Sequence, residues 1–218
     1  MHPLIKICGI TNAEDALAVA DCGSDAIGFI FYKESPRYIS PKRAAEIIKQ
    51  LPEHINPVGV FVNHHRDEIR RTIDLTGIKV IQLHGNETPD ECDYDSVKVW
   101  KAVRLVTMRE LPGLEAFNVD AFLFDTFHKT LYGGTGQTGN WDIARKASEK
   151  YNVIVSGGLH PGNITRAISI VNPFGVDINS GIESAPGKKD KQKLLQLFET
   201  IQRKGSAHAH RNEIHSNR

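Results

Sequence analysis

About eight times along the chain a short, β-rich apolar run is followed by sequence able to form a helix, and this alternation constrains the fold more than any other feature. The runs are LIKIC, AIGFIF, PVGVFV, KVIQLHG, VKVWKAV, AFLFD, NVIVSGG and FGVDINSG. Helix-compatible stretches behind them include RDEIRRTIDLTG, NWDIARKASEK, NITRAISIV and KQKLLQLFETIQRK. Strands that are apolar throughout are covered on both faces, and crossover helices give that cover when the strands are parallel. About eight βα units in roughly 200 residues point to an α/β fold, a single-domain closed (β/α)8 TIM barrel, rather than an open sheet.

Local signals punctuate the pattern. Thr11-Asn12-Ala13-Glu14 reads as a capping box opening a helix that Gly23 stops, and Ser40-Pro41 as an N-cap followed by a first helical residue. The weakest unit follows Glu87, where TPDECDYDS is short and poorly periodic. The barrel is expected over residues 1–204, and the aperiodic stretch 205–218 reads as a tail outside it.

Lys plus Arg number 27 against 26 Asp plus Glu, so no bulk charge draws the chain to nucleic acid or an anionic membrane. No apolar run reaches the length of a membrane span, and Glu14 and Asp15 come too early for a secretory leader, which makes the cytoplasm the expected compartment. Three cysteines, Cys8, Cys22 and Cys92, without a C-x-x-C pair, suggest reduced thiols rather than a disulfide framework or zinc ribbon. His208, His210 and His215 have no acidic or cysteine companions at ligand spacing, so no metal is assigned.

In such a barrel, reacting groups lie at the C-terminal ends of the strands and on the loops that follow. That geometry places Cys8, Arg37, His84, Asp125, Ser156 to Gly158 and Asp177 to Gly181 on one rim. Each has a plainer explanation: Cys8 as a small packing residue, Asp125 as the anchor of an Asx-turn, Arg37 as a solvated loop arginine, His84 as a structural histidine. The glycines of GGTGQTGNW fit neither dinucleotide nor P-loop context, since a long insertion precedes them and Asn140-Trp141 stands where Lys and Ser or Thr would be needed. A flexible loop with an N-cap at Asn140 suits that stretch better. Backbone N–H groups of SGGL and NSGIE, by contrast, could hold a phosphate without net positive charge.

Taken together, KICGI, SPRYIS, QLHG, Asp125 with GGTG downstream, SGGL.P.NI and GVDINSGIE...GKKD resemble the phosphoribosylanthranilate isomerase family of tryptophan biosynthesis, in the family's order from about Lys6 to Asp190. The resemblance implies an Amadori rearrangement by general acid and base, with Cys8 as base, Asp125 as acid and Arg37 on the anthranilate carboxylate. It further implies substrate contacts from His84 and Asp177, phosphate contacts from Gly157, Gly158, Ser180 and Gly181, a small phosphosugar substrate, and no metal or cofactor. It leaves monomer or homodimer open. Two positions depart from the family pattern: Gly139-Asn140 replaces Phe-Asp, and Asn179 replaces a common Ser. Those roles also require the site to lower the thiol pKa of Cys8. Other sugar-phosphate barrel enzymes would be expected to present lysine or metal ligands on the rim, and a phosphate-binding barrel without turnover would not need both Cys8 and Asp125.

Overall fold

The computed structural model describes residues 2–125 and 141–202. Eight parallel strands close into a barrel in sequence order: β1 (Leu4–Ile7), β2 (Ala26–Ile30), β3 (Asn56–Phe61), β4 (Val80–Leu83), β5 (Lys98–Val103), β6 (Ala121–Asp125), β7 (Val153–Ser156) and β8 (Gly175–Ile178). Closure is made by β1 against β8, with Lys6 opposite Asp177. Helices α1 (Ala13–Asp21), α2 (Pro41–Ile48), α3 (Arg66–Thr76), α4 (Trp141–Ser148) and α5 (Ile164–Val171) cover the outside, as do residues 191–202, which are also helical. The expected loop of GGTGQTG with its cap at Asn140, and the expected tail at 205–218, lie outside the described residues.

The strand period of two divides the core. Residues such as Ile7, Phe29, Phe61, Leu83, Phe124 and Val155 face the helices and belong to one large apolar cluster. Ala26, Val58, Val80, Trp100, Ala102, Leu123 and Ile154 face inward and fill the N-terminal half of the barrel with a second cluster. The floor below the site is therefore packed side chain, as the fold requires.

Where the periodicity is weak, the outer wall changes character. A 3-10 turn at Pro89–Cys92 follows β4, and a 3-10 segment at Met108–Ala116 follows β5. Pro112 and Gly113 inside the latter remove a hydrogen bond and add chain entropy, which an α-helix tolerates poorly. After β8 come a 3-10 turn (Ser180–Ile182) and a small antiparallel hairpin, β9 (Glu183–Ala185) and β10 (Lys188–Lys189).

At the N-terminal end, one device is used twice. Asp25 accepts the N–H of Ile5 at 2.7 Å while its carbonyl accepts from Asn56 Nδ2. Asp120 accepts the N–H of Val99 at 2.8 Å while its carbonyl accepts from Asn152 Nδ2. Each clasp ties three neighbouring strand starts together.

One capping expectation is corrected. Asn12, not Thr11, caps α1, its Oδ1 accepting from the Asp15 N–H at 2.8 Å. Thr11 lies one residue too early and donates instead to the Gly187 carbonyl at 2.6 Å, fastening the β9–β10 hairpin to the start of α1. Ser40 and Pro41 begin α2 as the sequence implies. Asn12→Ala should therefore lower the unfolding free energy by about 1 kcal/mol, measured in urea, and Asn12→Ser, which keeps an acceptor, should recover most of that loss.

Candidate active site

Followed toward the C-terminal end of the strands, the inward positions turn from apolar to polar. Lys6, Gln82 and Asp177 form the transition, and Cys8, His84, Asp125 and Asn179 lie above them, at the ends of the strands or just past them. All of these except Lys6 line a cavity of about 300 Å³, which Gly157, Gly158 and Ser180 also line. That volume suits a small molecule.

Cys8 is buried at the floor of this cavity. Its room is made by Gly28 on β2: a Cβ there would lie 2.6 Å from Cys8 Sγ and 3.1 Å from Lys6 Cε. Lys6 is wholly enclosed and donates to Asp177 Oδ2 at 2.8 Å. Burial works to lower the ammonium pKa, yet the charges of Asp177 and Cys8 hold it above the ordinary lysine value. The Cys8 thiol goes the other way from expectation. Burial raises it, the Asp177 carboxylate adds to the rise, and the cations Lys6 and Lys189 offset only part of it. Desolvation wins because the thiolate would sit inside the barrel beside an ammonium already neutralised by its own carboxylate.

On the opposite wall, His84 Nε2 lies 3.6 Å and Arg104 Nε 3.5 Å from Asp125 Oδ2. Gln82 Nε2 lies 2.9 Å from His84 Nδ1. The loop carrying His84 is braced from behind by a buried pair, Lys101 with Glu87 at 2.8 Å. Lys101 also donates to the Gly85 carbonyl, and Glu87 accepts the N–H groups of Gly85 and Asn63.

The third wall is backbone. Gly157 and Gly158 have φ of 92° and 66°, in the left-handed region where a side chain is strained, and their consecutive N–H groups suit an anion. Asn163 shapes this loop, accepting from the His160 N–H and donating to the Gly158 carbonyl. Gly181 lets the next loop close on it, since a Cβ there would collide with the Leu159 carbonyl oxygen. The first N–H groups of the Ser180–Ile182 turn have no carbonyl of their own helix to use.

Arg37 stands beside the cavity rather than among its lining residues, across Gly9 from Asn179. Its Nε and Nη2 grip Glu183 at 2.9 and 2.6 Å, which leaves Nη1 for a further acceptor. Burial works to raise the Glu183 carboxyl, but Arg37, Lys189 and the Gly187 N–H hold it below the usual carboxylate range. Lys189, buried with it, donates to Glu183 Oε1 and Asn179 Oδ1, each at 3.1 Å.

Nine of the residues singled out from sequence, namely Cys8, His84, Asp125, Ser156, Gly157, Gly158, Asp177, Asn179 and Ser180, thus meet in one cavity. Arg37 and Gly181 flank it. Lys6, Gln82, Glu183 and Lys189 were passed over, although Lys6 and Gln82 each sit two residues before a chosen residue, on the same inward face of an apolar strand. Among the described residues, no group of three or more His, Cys, Asp or Glu side chains could hold a metal ion, and no helix is long and apolar enough to cross a membrane.

Comparison with known proteins agrees with this fold. The family model described as N-(5'phosphoribosyl)anthranilate (PRA) isomerase matches residues 5–200. N-(5'-phosphoribosyl)anthranilate isomerase of Pelobacter propionicus is 47% identical over 194 residues, covering 89% of this chain and 93% of that protein. The crystal structure of phosphoribosyl anthranilate isomerase from Thermotoga maritima superposes with a TM-score of 0.83 at 38% identity, covering 93% and 99% of the two chains. A phosphoribosyl anthranilate isomerase structure in complex with reduced 1-(o-carboxyphenylamino)-1-deoxyribulose 5-phosphate superposes with a TM-score of 0.80 at 36% identity, with the same coverage.

The Glu183–Lys189 pair is a sharp test of the hairpin. Glu183→Ala strands a buried ammonium and should cost about 3–5 kcal/mol in chemical denaturation. The double variant Glu183→Ala/Lys189→Met, which removes both charges, should recover a good part of that.

Proposed function

The chain belongs to the N-(5'-phosphoribosyl)anthranilate isomerase family, and on that footing we propose that it converts N-(5'-phosphoribosyl)anthranilate to 1-(o-carboxyphenylamino)-1-deoxyribulose 5-phosphate with Cys8 as general base and Asp125 as general acid. The observation that carries this reading is the shared cavity: a thiol and a carboxyl from the ends of β1 and β6 face the same space, with glycine-rich backbone to one side. Asp125 protonates the furanose ring oxygen as the C1′–O bond breaks, giving a protonated imine. The Cys8 thiolate takes the C2′ proton, and the electrons of that C–H bond move to form an enolamine. Tautomerisation, with loss of the 2′-hydroxyl proton and protonation at C1′, gives the aminoketose. Carbon 1′ is reduced and carbon 2′ oxidised within one molecule, so the equation balances without an external electron carrier.

The ends of the substrate fix its register. The phosphate sits on the N–H groups around Gly157, Gly158, Ser180 and Gly181, and the anthranilate carboxylate takes Arg37 Nη1 while Glu183 holds the rest of that guanidinium. His84 and Asp177 contact the sugar between them.

The raised Cys8 thiol shapes the pH dependence. Thiol and aspartic acid reference pKa values of about 8.5 and 3.9 mean that the pair ionised the required way round is roughly one molecule in 10⁴–10⁵ even in water. Its population stays constant between the two macroscopic pKa values, because it differs from the dominant form only in where one proton sits. The falling, alkaline limb of kcat/KM therefore reports Cys8, and with the thiol held above its ordinary value that limb should lie above pH 8.5. Lys6→Met, which removes an offsetting cation, should move the limb higher still.

Cys8→Ser should nearly abolish turnover, since a hydroxyl is a far poorer base, and Asp125→Asn should do the same for want of a proton to give. Substrate fluorescence, followed from freshly generated phosphoribosylanthranilate, gives the rate directly. A Cys8→Ser protein retaining more than about a tenth of kcat/KM, a loss under about 1.4 kcal/mol, would make Cys8 a packing residue. Arg37→Ala should lower kcat/KM with inorganic phosphate affinity unchanged, and an equal loss of both would place Arg37 at the other end of the ligand.

A further inference from the structure

Gln82 occupies the middle of the barrel and is 1% exposed, with Val60 and Trp100 as its partners on the adjacent strands. An apolar side chain of the same size would fill that place and leave no polar atom to satisfy. The amide makes one contact, Nε2 to His84 Nδ1 at 2.9 Å, and its Oε1 is buried without a hydrogen-bond partner. Gln82 nevertheless lines the cavity, as does Asp177, whose Oδ1 is likewise buried and unpartnered. Two enclosed, unpartnered oxygen acceptors on residues that line one cavity call for a ligand that brings donors, and the hydroxyl groups of a sugar are such donors.

The other half of the amide acts on the imidazole. An amide nitrogen can only donate, so with Nε2 of Gln82 toward the ring, Nδ1 of His84 is the accepting nitrogen and the ring proton sits on Nε2. Nε2 is the atom that faces Asp125 Oδ2, at 3.6 Å. Held in this form, the imidazole presents an N–H to the carboxylate that remains when Asp125 has given up its proton.

We propose that Gln82 is a positioning and recognition residue of this site: its nitrogen fixes His84 as the Nε2–H tautomer toward Asp125, and its buried carbonyl oxygen accepts a hydroxyl of the sugar. The second half rests on the sugar-phosphate reading above; the first does not.

Histidine-selective ¹⁵N labelling tests the first half in the ligand-free protein at pH 8, with His84 assigned by the signal lost in His84→Asn. The expected spectrum has a protonated Nε2 and an unprotonated, hydrogen-bonded Nδ1. Gln82→Met should bring the two shifts toward a tautomer average, and Gln82→Glu, whose carboxylate accepts rather than donates, should move the proton to Nδ1. A wild-type spectrum with the proton on Nδ1 overturns the positioning role, even if both variants fail to fold. For the second half, Gln82→Met should lower kcat/KM about tenfold or more, mainly through KM, with inorganic phosphate affinity within twofold of wild type. A kcat/KM within twofold of wild type overturns the hydroxyl contact. Wild-type protein that binds phosphate but shows no turnover overturns the isomerase reading, and the imidazole spectrum then decides the tautomer role by itself.

Discussion

A lysine ammonium enclosed inside a β-barrel is the constraint around which this site is built. Lys6 has no exposed surface, and an unpaired charge in that position would be untenable. The Asp177 carboxylate therefore faces it across the β1–β8 seam, where closure of the barrel sets the two residues opposite each other. Gly28 is required by the same enclosure, because the lysine stem and the Cys8 sulfur together take up the space a side chain on β2 would need. The pair leaves Asp177 one buried oxygen without a hydrogen-bond partner and gives the thiol a cation that burial outweighs. Charge, shape and chemistry at the cavity floor thus come from one pairing.

The sides of the cavity are held by different means. His84 rides on a loop braced by the buried Lys101–Glu87 pair, which sits behind the strand and bonds the backbone of Gly85, the residue after His84. Arg37 is held by the β9–β10 hairpin through Glu183, and Thr11 and Asp15 in turn fasten that hairpin to the first βα unit. A hairpin late in the sequence therefore positions a side chain from the second βα loop. A buried ion pair seldom adds stability over an apolar replacement, and here the two pairs hold the segments that carry Arg37 and His84 beside the cavity.

The barrel was legible because strands sheathed on both faces read as unbroken apolar runs, and all eight runs correspond to strands of the structure. The residues at their ends were legible for the same reason: Cys8, His84, Asp125 and Asp177 interrupt an apolar pattern where the strand meets its loop. What escaped was three-dimensional. Lys6 and Gln82 sit within runs where apolar neighbours mask them, and only the inward parity of the strand separates them from the outward Lys101. Glu183 and Lys189 become meaningful only when the hairpin folds back over Arg37. Local sequence suggested Thr11 as a cap, but a long-range acceptor at Gly187 engages its hydroxyl instead. The direction of the Cys8 shift could not be read from neighbours in sequence, since it depends on how completely the thiol is enclosed.

The paired clasps at the N-terminal end carry a consequence for the other end. Asp25 and Asp120 stand four strands apart, and aligning them sets β1 on β5 and β2 on β6, so the closed face has an approximate twofold repeat. Carried up the strands, that alignment puts Lys6 on Trp100, Cys8 on Ala102, Gly28 on Leu123 and Ile30 on Asp125. The thiol of one half matches a methyl group in the other, and the carboxyl of the second matches an aliphatic chain in the first. Neither half-barrel contains both the thiol and the carboxyl. The symmetry that secures the closed end is broken at the mouth in complementary ways, and a cavity lined by both a thiol and a carboxyl exists only because the two halves close on each other.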